Sequence, residues 1–118
     1  MSYPQRPVAL LRVVGRSMSP TLADGDLLLA RRVRRPRPGA VVVVRLPHDA
    51  DGAPRPLGVK RLAGRDPDDP TRWWVERDNP REGTDSWLFG SLAPDDVLGE
   101  VVARIWPRPG LVGRLPGG

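Results

Sequence analysis

The sequence predicts an all-β domain, a small and mostly antiparallel sheet of barrel-like form. Three observations carry this. Apolar segments are short, about the length of single strands, and rich in valine and leucine. Thirteen glycines and fifteen prolines fall largely between them, where turns belong. No long stretch shows the 3.6-residue periodicity of an amphipathic helix.

Taken in order, Met1 to Pro7 is a polar, proline-containing lead. Val8 to Val14 reads as the first strand, and Gly15-Arg16 as the turn that ends it. Met18 to Leu22 has room for one helical turn with Pro20 near its start, and such a start would aim backbone N–H groups at an anion beside Ser17. Asp24-Gly25-Asp26 is a turn, and Leu27 to Arg31 the next strand. Pro36 to Gly39 breaks the chain again, and Ala40 to Leu46 is a valine-rich strand of buried character. After a loop from Pro47 to Pro56, Leu57 to Gly64 forms a strand, Arg65 to Pro70 a charged loop, and Arg72 to Glu76 a short strand. Asp78 to Gly90 reads as an ordered loop and Val97 to Trp106 as the last strand. Residues 1–106 therefore form one domain, and 107–118 a flexible tail rich in proline and glycine.

Composition narrows the function. Cysteine is absent, which removes disulfides, thiolate metal sites and a cysteine nucleophile. The single histidine, His48, sits in a loop-like segment and builds no metal site alone; no cofactor or metal is expected. The formal charge is +5, but the arginines are spread along the chain apart from Arg31 to Arg37, and aromatic residues make up only 5%. That pattern lacks a stacking platform for single strands, so no nucleic-acid partner is expected, and the arginine run reads as a solvated loop. The longest purely apolar run, Ala40 to Val44, is far below the roughly 20 residues of a spanning helix. Val8 to Leu11 is too short for a signal-peptide core. The expectation is a cytoplasmic protein with no transmembrane segment of its own.

One residue stands apart. Among 19 basic side chains Lys60 is the only lysine. Arginine stays protonated in proteins, whereas a buried lysine can lose its proton near neutral pH and act as a base. A base is what a serine hydroxyl needs to become a nucleophile. Ser17 lies just after a strand and a glycine turn, followed by Met18, Ser19 and Pro20.

The motifs fall in a fixed order: Gly-Arg-Ser-Met-Ser-Pro-Thr-Leu at 15–22, Asp-Gly-Asp at 24–26, Pro-Gly-Ala-Val-Val-Val-Val at 38–44, Gly-Val-Lys-Arg-Leu-Ala-Gly at 58–64, Asp-Asn-Pro at 78–80 and Thr-Asp-Ser-Trp-Leu-Phe-Gly at 84–90. This series resembles the type I signal peptidase family of serine proteases over roughly residues 8–106. The resemblance implies that Ser17 is the nucleophile, with its N–H in the oxyanion hole, and that Lys60 is the general base. Ser19 corresponds to a variable position. Asp78, Asp85 and Ser86 match the box that braces the site; read as residues alone they make an Asx-rich turn. Arg77 stands where the family has glycine, Trp87 where it has the arginine that pairs with the second aspartate, and Gly83 where many members have a hydroxyl residue.

Trp73 to Pro80 and Val97 to Pro107 look similar to the small soluble members that mature nickel-type superoxide dismutase. The resemblance then implies a precursor protein as substrate, with nickel belonging to that substrate. Two alternatives stand beside it. The self-cleaving repressor and mutagenesis-protein peptidases share a Gly-x-Ser-Met element, an Asp-Gly-Asp turn and a strand lysine, though sixteen residues before Ser17 are too few for their usual DNA-binding domain. The other is a β-barrel binding module without catalysis.

Overall fold

The computed structural model describes residues 7–47 and 56–113. His48 and most of the loop predicted between Pro47 and Pro56 lie outside the described residues. The elements are β1 (Val8–Arg12), β2 (Leu27–Arg31), β3 (Val41–Arg45), β4 (Leu57–Asp66), β5 (Asp69–Glu76), a one-turn helix α1 (Ser86–Phe89), a 3₁₀ turn (Pro94–Asp96), β6 (Val97–Trp106) and β7 (Gly110–Leu111). The strands form one sheet in the order β1-β2-β6-β3-β4-β5, with β7 added to β6. Every pairing is antiparallel. The all-β reading holds.

β3 lies at the centre because its valines serve both faces. Successive side chains of a strand alternate, so Val41 and Val43 enter one apolar cluster with Val13, Met18, Leu22, Leu28, Ala30 and Val101. Val42 and Val44 enter a second with Leu62, Trp73, Val75, Leu92 and Val97. The four β3 valines are all buried. A continuous β-branched run can be buried on both sides only where cover lies on both sides, and here β1, β2 and the 13–22 turn supply one cover while β5 and the 86–97 segment supply the other.

The sheet is not closed, so the barrel-like expectation is met only in its curvature. Register shifts interrupt the β2–β6, β3–β6 and β4–β5 pairings, which bends the sheet. β5 pairs with β4 only from Arg61 onward, and Leu57 to Lys60 bond to β3 alone. β1 is an edge strand. These two free edges face each other across a cavity of about 330 Å³ lined by Leu11 to Val14, Ser17 and Met18 on one side and Pro56 to Val59 on the other. The seam where a barrel would close is an apolar groove with Ser17 in its wall.

Three local expectations differ from the structure. The charged segment at 65–70 is a hairpin, not a loop: Asp66 pairs with Asp69, and Asp68 N–H donates to Asp66 Oδ1 across the Pro67-Asp68 turn (2.9 Å). The segment predicted as loop at 78–90 carries one helical turn at Ser86–Phe89, whereas Met18 to Leu22 makes the single helical turn expected of it, closed by Leu22 N–H on Met18 O (2.9 Å). Part of the predicted tail returns to the sheet. Gly110 and Leu111 pair with Arg104 and Ala103, and Val112 packs against the first cluster. Its own side chain provides that anchor, so proline and glycine around it do not set it free.

Leu28 is fully buried in the first cluster. Leu28→Ala should lower unfolding free energy by about 2–5 kcal/mol in urea titrations; a loss under about 1 kcal/mol would show that this face packs loosely.

Candidate active site

Ser17 follows β1 through a turn set by Gly15. Gly15 adopts φ +90°, which favours glycine, and its N–H donates to Asp24 Oδ1 (2.7 Å). Lys60 sits on β4 opposite Val42 and shares its face. The two chain segments meet where Lys60 Nζ donates to Ser17 Oγ at 3.1 Å. Lys60 is 4% exposed. Burial lowers its pKa from the ordinary value of 10.5; the negative charge of Asp85 opposes this and the positive charge of Arg77 adds to it. The hydrogen bond goes to Ser17 and not to Ser19.

The remaining predicted residues surround this contact without touching Ser17. Asp85 caps α1, taking the Trp87 N–H on Oδ1 (3.1 Å), and takes the Arg77 N–H on Oδ2 (3.1 Å). Where the resemblance implies an arginine partner for Asp85, the partners here are backbone donors, while Trp87 turns outward, donates to Glu76 (2.7 Å) and meets Trp74 edge to face at 5.3 Å. Ser86 is buried and accepts the Val75 N–H (2.9 Å), which fixes α1 to β5. Asp78 takes two bonds from Arg61, Nη2 at 2.7 Å and Nε at 3.2 Å, and a third from Thr21 Oγ1 at 2.5 Å. Desolvation pushes its carboxyl up, but these bonds and the Arg61 charge outweigh it and leave the pKa below the ordinary carboxylate value.

Several contacts are not announced by the motifs. Asn79 N–H donates to Ser17 O and its side-chain amide to Arg16 O, both at 2.9 Å. Arg61 also reaches Gly39 O (2.9 Å), so the residue after the lysine ties the 78–79 loop to the β3 entrance. Gly83 lies so close that a Cβ there would fall 2.4 Å from Ser17 Cβ. Its φ of +96° favours glycine as well. The adjacency of Arg61 to Lys60 and of Asn79 to Asp78 was the only sequence signal for this belt. Among the described residues no group of three or more metal-ligating side chains comes together.

A model of the family described as Peptidase S24-like matches residues 1–80. The chain belongs to this family. It is a serine peptidase, which is the coarser reading that the signal-peptidase resemblance and its self-cleaving alternative share. The S24-like chain is also similar to the mitochondrial ATP-independent inner membrane protease subunit 1a of Arabidopsis thaliana, at 31% identity with 85% of this chain and 71% of the relative covered. Subunit 1b of the same plant is 30% identical, with 79% and 67% covered. The mitochondrial inner membrane protease subunit 1 of Mus musculus is 27% identical, with 79% and 66% covered. Among the described residues no helix of the peptidase is long and apolar enough to cross a membrane.

Two outcomes follow from this geometry. Gly83→Ala should push the loop off Ser17 and cost about 1–3 kcal/mol from backbone strain alone, with cleavage falling more than stability; an alanine variant as active as the parent would show that the loop yields freely. Burial of Lys60 costs stability. The native state holds the lysine proton more weakly than the unfolded chain, so between the lowered pKa and 10.5 the unfolded chain carries a proton that the native one lacks, and Lys60's contribution rises with pH. Lys60→Met should therefore be more stable than the parent at about pH 6, and its advantage should shrink toward about pH 10. Denaturant titrations at both pH values check this; a less stable methionine variant at the lower pH would contradict it.

Proposed function

We propose that the chain is a serine endopeptidase in which Ser17 and Lys60 form a Ser-Lys dyad that removes an N-terminal leader from a precursor protein. The observation that carries this reading is the 3.1 Å bond between the serine and a buried lysine whose pKa is lowered. Neutral Lys60 takes the Ser17 proton as Oγ attacks the scissile carbonyl. The proton passes to the leaving amine, and an acyl-enzyme remains. Lys60 then takes a proton from water, which attacks the ester and releases the acid. Among the described residues nothing accepts the Ser17 N–H, so it is available to the oxyanion.

The open seam suits an extended substrate. A segment laid between the free edges of β1 and Leu57–Lys60 gains main-chain bonds as an added strand, and its side chains meet an apolar lining. The resemblance of 73–80 and 97–107 to the small soluble maturation proteases makes a nickel superoxide dismutase precursor the first substrate to try, with the cytoplasm as the proposed setting. The relatives are named as subunits of inner membrane proteases, which makes a secretory or membrane precursor the second. The S24-like match favours one further reading, cleavage of the chain by itself.

The test is intact-mass analysis after incubation of the chain alone, with a nickel superoxide dismutase precursor, and with a secretory precursor in detergent. Cleavage should be lost by at least about a thousandfold in Ser17→Ala and in Lys60→Arg, since arginine keeps the charge and cannot act as base. Activity should rise with pH through the lowered lysine pKa. Retained cleavage by a folded Lys60→Arg variant would end the dyad mechanism, and a cut of the chain alone would favour self-processing.

A further inference from the structure

Between β5 and α1 the chain makes a loop, residues 77–85, that touches Ser17, as Lys60 of β4 does as well. It does so at two points. Asn79 N–H binds Ser17 O at 2.9 Å, and Gly83 stands where an added Cβ would be 2.4 Å from Ser17 Cβ. The Asn79 end is tied to β4 through the Arg61–Asp78 pair, so what remains to be set is the place of Gly83 relative to it.

That place is set by Arg77. Its guanidinium turns into the loop and donates from Nη1 to Gly83 O (2.9 Å) and from Nη2 to Pro80 O (3.2 Å). Its backbone N–H closes the base of the loop on Asp85 Oδ2 (3.1 Å). The two carbonyls it holds belong to Gly83 itself and to the residue after Asn79. A planar guanidinium presents its donors in a rigid fork, so it fixes two acceptors relative to each other as well as to itself. A lysine ammonium at the same place is a single point from which bonds radiate.

The geometry points to Arg77 as a positioning residue for Ser17, an internal clasp that holds Gly83 and Asn79 at the spacing that seats the serine against Lys60. This rests on the peptidase reading for its effect on cleavage, but the clasp itself does not. Arg77 makes no hydrogen bond to Ser17 and acts on it through the loop. Its charge also adds to burial in lowering the Lys60 pKa, an effect that Arg77→Lys keeps. The gap between that variant and Arg77→Ala therefore includes the charge, and the gap between it and the parent isolates the fork.

The experiment compares Arg77→Ala and Arg77→Lys with the parent in the full chain, with two readouts. On the precursor that the parent cuts, Arg77→Ala should lower kcat about 10- to 100-fold, the scale of an ångström-level misplacement, with KM within about twofold. Amide hydrogen exchange of residues 78–84, followed by mass spectrometry, should speed by about tenfold or more while β3 and β6 are unchanged. Arg77→Lys should fall between the two in both readouts. A kcat within twofold of the parent in Arg77→Ala, or unchanged loop exchange, overturns the proposal. A raised KM at unchanged kcat also overturns it, since that is the mark of substrate binding. If Arg77→Ala does not fold, Arg77→Lys decides: parental kcat and parental exchange in that variant would refute the fork. If the parent cuts nothing, the peptidase reading fails on its own, and the exchange readout still decides the clasp.

Discussion

Withdrawing a lysine amine from water disfavours its charged form, and the seam of this sheet is built around one such withdrawal. Lys60 has little contact with solvent, and its polar partner is a serine hydroxyl instead of a carboxylate. The one acid whose charge reaches it, Asp85, is itself occupied by two backbone N–H groups. Asp85's charge already favours the ammonium, and a direct pair would favour it further. The backbone donors therefore do two things. They satisfy a buried carboxylate, and they keep it from becoming the counter-ion that would hold Lys60 protonated.

The neighbouring position is handled in the opposite way. Alternation along β4 puts Arg61 on the other face from Lys60, where it meets Asp78 in a nearly buried pair. Here both charges are kept, because each is satisfied: Arg61 by Asp78 and Gly39 O, Asp78 by Arg61 and Thr21. A buried pair with full hydrogen bonding adds little net stability but costs about 3–5 kcal/mol to break on one side. Its value lies in geometry. Thr21 belongs to the segment of Ser17 and Asp78 precedes Asn79, so the pair pins the serine turn and the 77–85 loop to one strand.

The strands and the Ser17–Lys60 contact were legible in the sequence for the same reason: both depend on residue type more than on path. Valines at 41–44 have to be buried, and a single lysine among eighteen arginines, taken with the motifs around it and around Ser17, marks a candidate for a removable proton. The open seam was not legible, because closure turns on bulges at Leu27, Leu29, Val43 and Leu62 that carry no local signature. Nor was β7, where two residues are held by β6 and by the packing of a half-buried Val112 within a proline- and glycine-rich stretch. Arg77 could be read only as a departure from a familiar motif. Its bonds go to carbonyls three and six residues ahead, and every residue has a carbonyl.

This separates two kinds of information in the site. The groups proposed to react are side chains, and their identities are written in the sequence. The precision with which they meet is set mainly by backbone acceptors: Ser17 O and Arg16 O for Asn79, Gly83 O and Pro80 O for Arg77, Gly39 O for Arg61. A donor side chain may be replaced at such a contact as long as another donor reaches the same carbonyl. With Trp87 after the Asp85-Ser86 pair and Arg77 before Asp78, the loop is held by main-chain donors to Asp85 and by main-chain acceptors of Arg77, although neither position alone would suggest it. In a site held by main-chain carbonyls, the requirement falls on the path of the loop and on the absence of a side chain at Gly83, more than on which residue supplies the cation.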